Sequence, residues 1–126
     1  MQIEQLEIGK EQRSMKKISF EGIGEVAATF ECGDGALDGQ VVKITGDGTI
    51  GACGAGERFC GVALHTGDGR ASVQLSGLAT VRISGEVDAG WVKLSADGAG
   101  GVKKDESAGD EFLVVSAGSA GAVIRL

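Results

Sequence analysis

Arg70-Ala-Ser-Val-Gln-Leu-Ser-Gly-Leu-Ala-Thr-Val-Arg-Ile83 sets the class of this chain. Ala71, Val73 and Leu75 face one way while Arg70, Ser72 and Gln74 face the other, and Val81 and Ile83 against Arg82 repeat the pattern. Period-two alternation is the signature of a strand with one buried face. Working outward, Val26-Ala-Ala-Thr-Phe-Glu31, Val41-Val-Lys-Ile-Thr45 and Val123-Ile-Arg-Leu126 are further alternating or β-branched runs. The punctuation between them is Gly with Asp: Gly33-Asp-Gly, Gly46-Asp-Gly, Gly67-Asp-Gly and Ala96-Asp-Gly. Glycine supplies positive φ and aspartate tolerates it, so these are tight turns. Turns recur every eight to twelve residues or so, with no sustained helical period. The chain therefore reads as all-β, a small Gly-rich barrel or sandwich of about nine to eleven short strands.

An internal echo refines this reading. Gly39-Gln-Val-Val-Lys43, Asp47-Gly48, Gly56-Glu-Arg-Phe59 and Val73-Gln-Leu75 recur in order as Gly90-Trp-Val-Lys93, Asp97-Gly98, Gly109-Asp-Glu-Phe112 and Ile124-Arg-Leu126. It predicts two similar β units, each too small to bury its own apolar face, folded together around one core. Trp91, the sole tryptophan, is expected to plug that core, with an exposed anchor as the alternative. Residues 1–17 are different in texture. They carry four of the twelve basic residues against Glu4, Glu7 and Glu11, and Gly9 interrupts any helical period. We read 1–17 as a flexible arm and 18–126 as a single β domain, with Met15 a second start.

Composition narrows the function classes. The 126 residues include 23 Gly and no Pro, which rules out collagen. A net charge of −6 lacks the Lys/Arg footprint of phosphate binding, and five aromatic residues are thin material for stacking bases. Nucleic acid is therefore not an expected partner. Nor is a membrane: no run approaches the roughly 17 apolar residues a span needs, and the N-terminus has no apolar leader. Three cysteines, an odd and sparse count, fit a reducing compartment.

The sequence leads us to expect no site of chemistry. Gly22-Ile-Gly24-Glu-Val-Ala27 matches a dinucleotide pattern, but β-prone residues follow where a long helix is required, so it reads as a turn. Cys32, Cys53, Cys60 and His65 are the stuff of a zinc site without its spacing; Cys53 and Cys60 are placed on adjacent strands. A Cys60–His65 nucleophile pair is five residues apart, which puts the two on opposite faces of one strand. Lys43 and Lys93 stand inside strands and not at the hairpin tips that a lipoyl or biotinyl carrier would use. We expect no enzyme, no cofactor and no metal.

The whole string Ile18-Ser-Phe-Glu-Gly-Ile-Gly-Glu-Val-Ala-Ala-Thr-Phe30, Gly39-Gln-Val-Val-Lys-Ile44, Gly56-Glu-Arg-Phe-Cys-Gly-Val62, Val73-Gln-Leu-Ser-Gly77, Ile83-Ser-Gly85, Gly90-Trp-Val-Lys-Leu-Ser-Ala-Asp-Gly98 and the terminal Val-Ile-Arg-Leu resembles head decoration (capsid cement) proteins of tailed bacteriophages. The resemblance covers residues 18–126 and rests on strand and turn residues. It implies a small β-barrel or β-tulip on the outside of the head, trimeric, bridging major capsid subunits in the virion after assembly in the host cytoplasm. On that footing Ile3, Leu6, Ile8, Lys16, Lys17, Ile18 and Phe20 are the expected contacts, the arm adding a strand to a capsid sheet edge. Residues 1–14 have no counterpart in the family pattern. The alternative is a small β-barrel that binds a ligand or glycan in a phage tail or surface assembly, for which the few aromatics argue poorly.

Overall fold

The computed structural model describes residues 22–33 and 35–126. The described chain is all-β and contains no helix. Ten strands follow in order: β1 (Val26–Cys32), β2 (Val41–Gly46), β3 (Thr49–Ala52), β4 (Gly61–Gly67), β5 (Arg70–Ser76), β6 (Leu78–Ser84), β7 (Gly90–Ala96), β8 (Val102–Lys104), β9 (Asp110–Ala117) and β10 (Gly121–Arg125). They close into two five-stranded barrels, β1-β3-β2-β4-β5 and β10-β6-β8-β7-β9.

The barrels share one topology. In each, the first strand runs parallel to the third and antiparallel to the fifth, and the second pairs antiparallel with the third. The fourth strand pairs antiparallel with the second and the fifth. The two β units expected from the echo are these barrels. Their residue-level match differs from the echo, however. Ile44 lies opposite Ile50 in the first barrel and Ala96 opposite Val102 in the second, which equates Lys43 with Ser95 and not with Lys93. Asp47-Gly48 alone join β2 to β3, while Asp97–Gly101 separate β7 from β8.

Turn chemistry fixes the registers. Asp68 (φ 54°) and Gly69 (φ 73°) form the two-residue tip between β4 and β5, with Gly67 opposite Arg70. Positive φ at both central residues is the turn whose twist matches that of paired strands. In the second barrel Asp105 organises the β8–β9 turn. Its carboxylate accepts the Ser95 hydroxyl at 2.8 Å, the Ala108 N–H at 2.9 Å and both the N–H and hydroxyl of Ser107. Ser95 is buried, so this is its hydroxyl's route to satisfaction.

Those bonds, led by that of the Ala108 N–H and then the Ser95 hydroxyl, pull the Asp105 pKa from 3.8 down to about 2. A carboxyl depressed on folding stabilises the fold above its unfolded pKa, and that stability drains away as pH falls through the folded value. Asp105→Asn is thus expected to lower Tm by several degrees at pH 7, the gap to the parent closing between about pH 4 and pH 2. Thermal melts followed by circular dichroism across that range check it; a gap unchanged at pH 2 would count against the role given to the carboxylate.

The apolar interior divides into two clusters where the sequence suggested one core. Val42, Ile50, Ala63, Ala71 and Val73, with Ala36, fill the first barrel. The second cluster fills the second barrel with Leu94, Ala96, Val102, Val114, Ala122 and Ile124, and reaches into the first unit through Val41, Cys53, Phe59 and Val62. The joint is also hydrogen-bonded. Gly56 N–H donates to the Ala96 carbonyl (2.8 Å), Ala96 N–H to that of Glu57 (2.9 Å) and Val41 N–H to that of Gly100 (3.0 Å). Phe59 stacks on Phe112 with centroids 5.0 Å apart and planes 10° from parallel, beside an Arg58–Asp110 ion pair at 3.0 Å. Each of these phenylalanines follows the Gly-acid corner of its own unit, so the echo's corner residues meet across the joint.

Candidate functional site

Three surfaces carry what chemistry the fold leaves outside its barrels. The first is β1. Along Val26–Phe30 it pairs with β5 on one side, and its pairing with β3 on the other begins only at Glu31. Val26 to Thr29 are exposed, Val26 at 58%. The apolar side chains of Ile23 and Leu37 are likewise exposed on this unit. Among the described residues Val26–Phe30 is thus a strand edge open to a partner strand. Gly22–Gly24, the dinucleotide look-alike, is the turn that leads into it: Glu25 N–H closes on the Gly22 carbonyl at 3.2 Å, and a strand follows, not a helix.

The second surface is a groove of about 610 Å³ at the joint, lined by Lys43, Ile44, Glu57, Phe59, Cys60 and Phe112. Its floor is apolar and its charges are mutually satisfied. Lys43 Nζ donates to Glu57 Oε1 at 2.7 Å, and Gly54 N–H donates to the same oxygen at 2.6 Å. That pairing, with the Lys43 ammonium as first cause, lowers the Glu57 pKa. Ile44, 52% exposed, forms an apolar lip.

Cys53 and Cys60 both belong to this region, but neither is on a strand. They lie in the β3–β4 connection, where the sequence reading had put them on adjacent strands. Burial pushes the Cys53 thiol up to about 11, aided by the Glu57 charge, and burial also raises Cys60. Thiols held protonated are poor nucleophiles and poor metal ligands. Cys60 packs against the first-barrel cluster, whereas the His65 side chain is 80% exposed with Nδ1 3.7 Å from Asp38 Oδ2. The two are parted, but not by simple alternation. Cys60 precedes β4, and a register shift between Ala63 and His65 leaves Leu64 and His65 both exposed. Cys32 closes β1 and packs on the same first-barrel cluster. Among the described residues no group of three or more His, Cys, Asp or Glu is placed to hold a metal. Lys43 and Lys93 stand within β2 and β7, as read.

The third surface surrounds Trp91, and here the sequence expectation is corrected. Trp91 does not plug the core; it is 59% exposed on the outer face of the second barrel. Leu113 lies opposite it on β9, and Arg125 lies opposite Leu113 on β10. The Arg125 guanidinium sits over the indole, 5.4 Å from its centroid. A signal for this was present. Trp91 shares strand parity with Lys93, while Val92 and Leu94 point the other way.

The arm and first-strand contacts Ile3, Leu6, Ile8, Lys16, Lys17, Ile18 and Phe20 lie outside the described residues. No protein-family model matches the chain, and a search of curated proteins returned no match.

Proposed function

We propose that this protein is a non-enzymatic structural component of a tailed-phage head, a decoration or cement protein. It binds the outer surface of the assembled shell as a trimer and holds neighbouring major capsid subunits together. The observation that carries this reading is where the unsatisfied chemistry lies. The barrel interiors are filled mostly by aliphatic side chains, while Ile23, Val26, Leu37, Ile44, Leu64 and Trp91 are exposed on the outside, and among the described residues Val26–Phe30 has no partner strand on one side. Large exposed apolar side chains next to an unpaired edge favour association with another protein. A body with an excess of carboxylates suits an outer face, away from packaged nucleic acid. Many copies of a modest interface stabilise a lattice by multivalency.

Co-sedimentation tests the proposal. The purified chain is mixed with expanded heads lacking decoration, and separately with unassembled capsid protein. The expected result is saturable binding to heads only, with a rise in the temperature at which the shell disrupts. Pelleting no greater than that of a control protein of equal charge would defeat it. The exposure of Trp91 favours one other reading, a ligand- or glycan-binding module of a tail or surface assembly.

A further inference from the structure

The outer face of the second barrel sets an exposed indole beside a charged cleft. Trp91, Leu113 and Arg125 form a row across β7, β9 and β10, with the indole exposed beyond its contact with Arg125. Beside the indole is a cleft of about 280 Å³, walled by Glu86, Asp88, Glu106 and Glu111 together with Lys93 and Lys104. Lys104 is tied to Glu106 at 3.6 Å, and Lys93 lies directly opposite Glu111 in the β7–β9 ladder. Lys93 and Glu111 form no ion pair among the described residues, and with the Arg125 guanidinium over the indole counted beside Lys93 and Lys104 the four carboxylates are left one charge in excess. Glu86 and Asp88, on the β6–β7 connection, have no ion-pair partner among the described residues.

We propose that this face is a docking site for a cationic segment of a partner protein, one that lays an arginine or lysine into the cleft against Trp91. Two features fix the chemistry of the occupant. The uncompensated charge at the mouth is negative, so a basic side chain is drawn in and an acidic one repelled. The wall is an indole, whose π face attracts cations, as the Arg125 guanidinium already lying over it illustrates. Tryptophan and arginine flanked by a charged rim are also the residues that most often dominate binding energy at protein interfaces. The inference deepens the proposed surface role by naming one contact face and the charge of what it meets.

Because Trp91 is the only tryptophan, its fluorescence reports on the site directly. The full chain is titrated at low salt with an uncharged-ended pentapeptide of two arginines and three glycines. An isosteric-length peptide with two glutamates and the neutral sugar N-acetylchitotriose are titrated in parallel. The expected result is a saturable change with the arginine peptide alone, weakened by added salt. Glu86→Gln/Asp88→Asn, which keeps Trp91 in place, is expected to weaken that binding about five- to tenfold. A charge-matched control, Asp47→Asn/Asp68→Asn at two turns of the first barrel, is expected to leave it unchanged. No saturable change, an equal response to the glutamate peptide or the sugar, or equal weakening by the control pair would each overturn the inference. The head-binding and peptide experiments fail separately. A chain that binds heads but not the peptide loses this inference alone, and one that binds the peptide but not heads loses the capsid reading alone.

Discussion

Gly77→Ala is expected to lower the melting temperature by roughly 10–20 °C, more than other single changes at a turn glycine. Gly77 is the one residue between β5 and β6, and so between the two barrels. It holds φ at 90°, where an L side chain is strained. A Cβ there would sit 2.4 Å from the carbonyl carbon and oxygen of Gly24 and 2.7 Å from Glu25 N. All three are backbone atoms, so no rotamer change relieves the clash; the entry to β1 or the start of β6 has to move. Either movement disturbs the bonds that fasten the joint, Leu126 N–H to the Gly77 carbonyl and Leu78 N–H to the Ile23 carbonyl, each 2.9 Å. Gly85→Ala is the matched control. It has a similar φ of 82° and open space around the added methyl, so it carries only the conformational cost, about 1 kcal/mol and a few degrees. Melts of the two variants side by side decide the matter. Equal losses would mean that the close approach at Gly77 is unimportant.

The second large effect is expected from Leu94→Ala, with a loss of about 3 kcal/mol and on the order of 10 °C. Leu94 is 1% exposed and lies in the cluster that Val41, Cys53, Phe59 and Val62 of the first unit also enter. Its removal leaves a cavity in a wall shared by both barrels, so calorimetry is expected to show a single transition shifted as a whole. A biphasic trace, with one barrel melting at the parent temperature, would show that the joint does not couple them.

Much of this arrangement was legible in the chain. Alternation in Arg70–Val73 and Leu78–Ile83 located β5 and β6, because a strand with one buried face has to alternate. Gln74, read as outward, is buried instead, with its amide donating to the Ser76 and Leu78 carbonyls, each at 3.0 Å. The Asp68-Gly69 tip was legible because few residues tolerate positive φ. The order of the echo revealed the duplicated topology, though not its register. Loop lengths and the bulges at Ile44/Gly46 and Ala63/His65 change which residues correspond, and nothing local encodes them.

Trp91 shows how a generic preference misled. A lone tryptophan is usually buried, yet its parity with Lys93 placed it outward, and parity prevailed because Val92 and Leu94 already hold the inner face. The all-strand class, the turn positions and the outward placing of Arg70, Arg82 and Lys93 are written locally, since they depend on the φ preferences and period of neighbours along the chain. Long-range packing set the rest: two apolar clusters and not one, Phe59 against Phe112, and Glu86 and Asp88 beside the indole. Those are contacts between segments far apart in the chain, and their geometry comes from barrel closure and from how one barrel seats on the other.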